Sequence, residues 1–159
     1  MAIYEQSRLL SLCAHKNSAT DWNNWRNDNP NIEVDLSKLE LSGNFDVVNL
    51  SGVNLSVANL KISRFNNANM SGANFSGANL ENSGFSKCNL TGANFKGANI
   101  AYSKYEDVDF SHADLSNVDF LTVTFAGKCR FDQANVSGAR FPLVYTNWFT
   151  PDQFRSMRR

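Results

Sequence analysis

The 159-residue sequence has few of the features that mark a secreted protein, a membrane protein or a metalloprotein. Its cysteines are scattered and odd in number, which fits free thiols in the cytoplasm better than a disulfide framework. No apolar run approaches the roughly 20 residues needed to cross a bilayer, and residues 1–6 lack the basic start of a signal peptide. We therefore expect a cytoplasmic protein that does not bind a membrane. The three cysteines are Cys13, Cys88 and Cys129.

An excess of charge of one sign is also absent. Fifteen basic and fifteen acidic side chains balance, which argues against direct nucleic-acid binding. No Cys/His spacing suggests zinc, and no glycine loop precedes a helix to hold phosphate. Ser111, His112 and Asp114 are the residue types of a catalytic triad, but neighbours along one edge of the chain cannot converge on one reacting atom. The sequence predicts a protein that is not an enzyme and holds no cofactor or metal.

Proline is absent between Pro30 and Pro142, and most of this segment has a strict five-residue period. A large residue returns every five positions from Phe45 to Phe125. It follows a small or β-branched residue by two positions and usually an Asn or Asp by one. Neither a helix nor an ordinary strand has this period. We expect a chain that turns a corner every five residues, with the large and the small side chains inside.

The repeated unit resembles the pentapeptide-repeat family, whose motif is A-[DN]-[LF]-x-x, in runs such as Ala73-Asn74-Phe75 and Ala78-Asn79-Leu80. The resemblance covers about residues 34–141. It implies an all-β fold, a right-handed quadrilateral parallel β-helix with four pentapeptides per coil and short capping helices at both ends. A spacing of 20 then groups five aromatic residues, which we interpret as an interior stack and not an exposed strip. They are Phe45, Phe65, Phe85, Tyr105 and Phe125.

Residues 1–33 are predicted to form an N-terminal helical cap. An amphipathic pattern covers residues 2–14, and the Ser18–Asp21 pattern of an N-cap precedes a second, short helix. Trp22 and Trp25 on this helix are predicted to cover the first coil. The stretch from Trp22 to Pro30 is also similar to a lead-in of many bacterial pentapeptide-repeat proteins.

Residues 142–159 are predicted to form a C-terminal cap or a dimerisation segment. Thr150–Gln153 has the form of a capping box with Pro151 at the first helical position. Large apolar residues at this end exceed what one coil requires, which favours a two-fold homodimer over a simple cap. These candidates are Phe141, Leu143, Val144, Tyr145, Trp148, Phe149 and Phe154.

Two functions are compatible with this fold. Flat, rigid β-faces suit a non-catalytic macromolecule-binding or scaffolding module with a protein partner, and the predicted exposed corners Val57, Ile62 and Tyr102 are candidate contacts. Alternatively, some members of the family mimic DNA and bind or protect type II topoisomerases such as gyrase. The clustered acids offer a candidate surface for that role, but they are predicted to ring one coil, so we favour the binding module. They are Glu106, Asp107, Asp109, Asp114 and Asp119.

Overall fold

The computed structural model describes residues 19–157, and the helix predicted over residues 2–14 lies outside them. From Val34 to Phe141 the chain winds into a right-handed parallel β-helix with four faces, as predicted. In its central part, residues 20 positions apart pair in parallel. One side carries the regular strands, which form a single sheet in chain order. They are β1 (Arg64–Asn66), β2 (Gly84–Ser86), β3 (Lys104–Glu106) and β4 (Thr124–Ala126).

The interior consists of four stacked columns of large side chains, one column per face. On face 1 the rings of Phe65 and Phe85 have centroids 4.8 Å apart, and those of Phe85 and Tyr105 are 4.7 Å apart. The predicted interior stack is therefore confirmed. Face 1 is defined by Phe45, Phe65, Phe85, Tyr105 and Phe125; face 2 by Leu50, Met70, Leu90, Phe110 and Phe131; face 3 by Leu55, Phe75, Phe95, Leu115 and Val136; face 4 by Leu60, Leu80, Ile100, Phe120 and Phe141.

Buried serines replace alanine at the small inward position that precedes face 1. The Ser83 hydroxyl donates to the carbonyl oxygen of Leu60 (3.0 Å) and accepts from the backbone N–H of Ser63 (3.1 Å). Ser103 repeats the arrangement one coil later, donating to Leu80 at 2.7 Å. These hydroxyls link adjacent coils inside the tube, where an unpaired polar group would be destabilising.

The coil length changes once at each end of the tube. Asp35 pairs with Asn54, 19 positions later, whereas Asp109 pairs with Arg130, 21 positions later. The extra residue lies in the corner after β4, where the Asp107 carboxylate accepts the N–H of Lys128 at 2.8 Å. A Cβ at Gly127 would overlap that carboxylate, and the backbone there has φ 63°, so both the space and the conformation favour glycine.

Helix α1 (Thr20–Asp28) completes the first coil by replacing missing backbone groups with side chains. In each following coil, the N–H and C=O groups of the residue equivalent to Asn49 bond to backbone groups of the preceding coil. Here Asn49 donates to the side-chain oxygen of Asn23 (2.9 Å) and accepts from the Trp22 indole (2.7 Å), while Ser51 accepts from Arg26 (2.8 Å). Trp22 and Trp25 are buried beneath the helix.

The start of α1 differs from the sequence prediction. The N-cap residue is Ala19, and no side chain accepts a hydrogen bond there, so the predicted side-chain N-cap was wrong. Ala19 is buried. Packing against the tube, together with the polar contacts of α1, holds the helix start in place of a cap.

A 3-10 helix (Leu143–Trp148) and helix α2 (Pro151–Ser156) close the other end. The predicted capping box is confirmed, because Thr150 and Gln153 exchange side-chain to backbone hydrogen bonds. The Gln153 amide also donates to the carbonyl oxygens of Phe131 and Ala134, both at 3.0 Å. The last coil thus receives side-chain partners, as the first coil does.

We expect Asn23→Ala to lower the free energy of unfolding by about 1–2 kcal/mol, because the N–H of Asn49 loses its acceptor. Chemical denaturation monitored by tryptophan fluorescence measures the change. Asn24→Ala is the matched control, since Asn24 is exposed on the same helix, and its effect should stay within about 0.5 kcal/mol. Equal effects of both variants would contradict the assigned role of Asn23.

Candidate protein-interaction surface

The second residue after each large residue lies at a corner of the tube. At most corners the backbone of this residue is in the left-handed region, with φ between 53° and 70°. Glycine, Asn and Asp tolerate this conformation, whereas bulky and β-branched side chains rarely adopt it. Val57 (φ 60°), Ile62 (φ 59°) and Tyr102 (φ 60°) occupy it nevertheless. All three side chains are exposed. Their presence therefore costs conformational energy without adding to the buried core.

Exposed apolar side chains concentrate on the corner that leads from face 4 to face 1. Ile62 and Tyr102 lie there two coils apart, and Leu121 follows in the next coil. Leu143 and Val144 follow Pro142, after Phe141, which stacks on Phe120 with ring centroids 4.2 Å apart. With about 4.8 Å per coil, this line is roughly 19 Å long. We call it the apolar edge: Ile62 (69% exposed), Tyr102 (61%), Leu121 (43%), Leu143 (83%) and Val144 (75%).

The charged groups beside the apolar edge are mostly paired with each other. Lys61 pairs with Glu81 at 3.1 Å, and Arg140 pairs with Asp119 at 2.8 Å. Lys104, two residues after Tyr102, forms no ion pair within residues 19–157. Arg64 lies in the same outward row as Lys104 and pairs with Asp46 on its far side. Arg64 and Lys104 therefore stand on the edge side of face 1, and Asp46 and the exposed Glu106 stand on the far side of the same face.

The predicted acidic surface is engaged in contacts within the tube. Asp109 accepts from Ser111 and pairs with Arg130 in the next coil, as Asp119 does with Arg140. Burial acts to raise the pKa of Asp109, but the hydrogen bonds from Ser111 and the contact with Arg130 outweigh it and hold this pKa below its usual value. These pairs neutralise much of the local negative charge.

The other three acids also have contacts with the tube itself. Asp114 accepts from the N–H of Ser116 (2.9 Å) and from the Asn135 amide (3.1 Å). Asp107 holds the corner after β4. Glu106 is exposed and accepts from the Ser86 hydroxyl at 3.5 Å. Asp109, Asp114 and Asp119 lie on three successive faces of one coil, so they form a ring and not a stripe along the axis.

Ser111, His112 and Asp114 are not arranged as a catalytic triad. The Ser111 hydroxyl donates to Asp109 at 2.6 Å, and His112 lies at an exposed corner with φ 61°. The thiol of Cys88 is buried, which raises its pKa to about 11 and disfavours the reactive thiolate. Within residues 19–157, no three His, Cys, Asp or Glu side chains are grouped to hold a metal ion.

The apolar residues at the C-terminal end divide into two groups. Phe141 is buried against Phe120, and its ring lies 4.6 Å from that of Phe149. Tyr145, Trp148 and Phe149 make further ring contacts over the last coil, and Phe154 is half-buried. Leu143 and Val144 remain mostly exposed. This end is therefore largely a cap, from which two residues extend the apolar edge.

Leu121 and the link from Ile62 to Leu143 were missed in the sequence. The signal was present, because sorting by 20 places Ile62, Asn82, Tyr102 and Thr122 in one outward column. When the extra residue after β4 is counted, Leu143 stands one coil after Thr122 in the sequence, at the start of the 3-10 helix.

Residues 58–141, more than half of the chain, match the family model described as pentapeptide repeat region. The chain belongs to the pentapeptide repeat family. A comparison of this pentapeptide repeat protein with the curated proteins gave no match. Within residues 19–157 it has no helix that is both long and apolar enough to span a membrane.

Two solved structures show the same fold. Two trypsin-treated variants of QnrB1, a plasmid-mediated fluoroquinolone resistance protein, match with TM-scores of 0.53 and 0.55 at 21% and 22% identity. These matches cover 69% of this chain and 66% and 65% of the QnrB1 chains, so the chain spans just under two thirds of their length. A pentapeptide repeat protein from the thylakoid lumen of Arabidopsis thaliana matches with a TM-score of 0.49 at 24% identity, covering 70% of this chain and 77% of that one.

We expect Ile62→Asn to raise the free energy of unfolding by about 1 kcal/mol, because Asn tolerates positive φ and Ile does not. Asn82 shows that the next coil holds Asn at this corner, with φ 57°. The midpoint of guanidinium unfolding measures the change. The reverse variant Asn82→Ile should lower stability by a similar amount. A loss of stability in Ile62→Asn would show that the exposed side chain contributes to the fold itself.

Proposed function

We propose that this pentapeptide repeat protein is a non-catalytic protein-binding module that contacts its partner through the apolar edge. The observation that carries the proposal is the alignment of five exposed apolar side chains on one corner. Single exposed apolar residues are ordinary, but several that share one corner, with the polar Asn82 and Thr122 among them, are characteristic of an interaction site. Ile62 and Tyr102 also hold a backbone conformation that costs energy.

The rigidity of the tube supports this function. Backbone bonds connect each coil to the next, and the Phe85 ring is stacked between those of Phe65 and Tyr105. A surface that is already ordered loses little conformational entropy when a partner binds. Outward side chains repeat in straight rows, so a long, narrow contact can form without rearrangement of the fold.

We expect the edge variant Ile62→Asn/Tyr102→Asn to retain at least tenfold less partner protein than the wild type, because two of the five apolar side chains of the edge are lost. Immobilised wild type and variant are incubated with lysate of the source organism, and bound proteins are quantified by mass spectrometry. Val57→Asn is the matched control, since it removes an exposed apolar residue at positive φ from another corner. Unchanged recovery on the edge variant would exclude these contacts.

A DNA mimic that binds or protects gyrase is the alternative function. The acids clustered in one coil favour it, and QnrB1, a fluoroquinolone resistance protein, has a similar fold. A DNA mimic, however, presents free negative charge along its axis. Asp109 and Asp119 are paired with arginines and lie in a ring. These contacts support the protein-binding module over the mimic.

We expect no inhibition of gyrase supercoiling and no protection from a fluoroquinolone at up to about 10 µM protein. This concentration is well above the Kd of a specific complex. Relaxed plasmid, ATP and gyrase are incubated with increasing protein, with and without the drug, and topoisomers are resolved on agarose. Inhibition of supercoiling that is weakened by Glu106→Gln would establish the DNA-mimic function instead.

Contacts at the C-terminal end support a cap more than the predicted homodimer. Phe141, Tyr145 and Phe149 are used in packing over the last coil, and Gln153 bonds to carbonyl groups of that coil. The apolar surface that remains, mainly Leu143 and Val144, is continuous with the apolar edge. We assign these two residues to partner binding.

A further inference from the structure

We propose that the partner element bound by the apolar edge is an amphipathic α-helix with acidic residues along one flank. This inference rests on the proposed function.

The sides of the tube offer no backbone edge to which a strand could add. Beside the apolar edge, the N–H of Ile62 bonds to the Glu81 carbonyl, and the N–H of Tyr102 bonds to the Thr122 hydroxyl. The end edges of the tube are covered by α1 and α2. An extended segment on the edge would therefore leave its own backbone groups unpaired against apolar side chains. A helix has none of this cost, because its backbone bonds are internal.

The apolar positions fit the spacing of a helix face. At about 4.8 Å per coil, Ile62, Tyr102, Leu121 and Leu143 lie at roughly 0, 9.6, 14.4 and 19.2 Å along the axis. Helix positions i, i+7, i+11 and i+14 share one face and lie at roughly 0, 10.5, 16.5 and 21 Å. The differences, about 2 Å at most, are within the reach of flexible side chains. A helix of about four turns therefore spans the edge.

The cations beside the apolar edge determine which charge the facing flank of that helix carries. Arg64 and Lys104 form an outward row on the face 1 side of the edge, and Lys104 forms no ion pair within residues 19–157. Glutamates on the facing flank of a helix would oppose this row, whereas lysines would be repelled. A second copy of the chain fits less well. An antiparallel pair centred on Tyr102 would bring the two copies of Lys104 towards each other.

The test uses three synthetic peptides of about 18 residues, labelled with fluorescein, titrated with the full chain at low salt. The first has Leu at i, i+7, i+11 and i+14, Glu along one flank and Gln along the other. The second has Lys in place of Glu, and the third has the acidic sequence with a central proline that breaks the helix. We expect the acidic helix to bind with a micromolar Kd by fluorescence anisotropy, and the other two to bind at least tenfold more weakly.

Variants of the protein locate the site. Ile62→Asn/Tyr102→Asn should weaken binding of the acidic helix at least tenfold, and Lys104→Gln about threefold. Val57→Asn should leave binding unchanged. Equal binding of the acidic and basic peptides, undiminished binding of the proline peptide, or undiminished binding to the edge variant would overturn the inference. So would the absence of binding of all three peptides up to about 1 mM.

The outcomes separate this inference from the proposed function. If the wild type captures a protein that the edge variant does not, but none of the peptides binds, the binding module stands and the acidic helix is rejected. If neither capture nor peptide binding depends on the edge, both proposals are rejected. A mass by light scattering of twice the 17.7 kDa of one chain that returns to one chain in Tyr102→Asn would make a second copy the occupant and overturn the helix.

Discussion

Each coil of this protein has to end directly above its starting point, about 4.8 Å further along the axis, so that its backbone groups meet those of the next coil. Closure in about 20 residues requires a corner every five, and the corners require positive φ. All other regularities follow from this constraint. Large residues stack inside because they recur at the same place in every coil, and outward side chains form straight rows for the same reason. The surface is therefore organised by columns, and a binding site on its side is a column.

The two ends show how strictly the backbone pairing is enforced. Where the first coil lacks a neighbour, Trp22, Asn23 and Arg26 supply the missing donors and acceptor from a helix. Where the last coil lacks one, Gln153 donates to two of its carbonyl groups. Aromatic rings at both ends exclude water from the last apolar layers. The ends are consequently occupied by capping, which leaves the sides of the tube for recognition.

The interior could be predicted from the sequence because its period is a direct consequence of coil closure. Predictions that depended on a single residue's surroundings succeeded less often. The start of α1 was misjudged because tube packing and polar contacts, not a side-chain cap, fix it. The pairing of Asp109 with Arg130 does not follow from the five-residue period, because a period of 20 places Cys129 opposite Asp109. Only the extra residue after β4, held by Asp107, brings the arginine there.

The corner positions separate what the fold requires from what it tolerates. Asn82 and Gly43 show that the corner before face 1 accepts residues suited to positive φ. Ile62 and Tyr102 are not suited to it, and their exposed side chains cannot return the cost through burial. Val47 and Val57, on other corners, share this conformation and exposure, but Ile62 and Tyr102 lie together on one corner. The fold alone gives no reason for apolar residues at this corner. A contact with another molecule along the apolar edge supplies one, because there the same side chains would be buried.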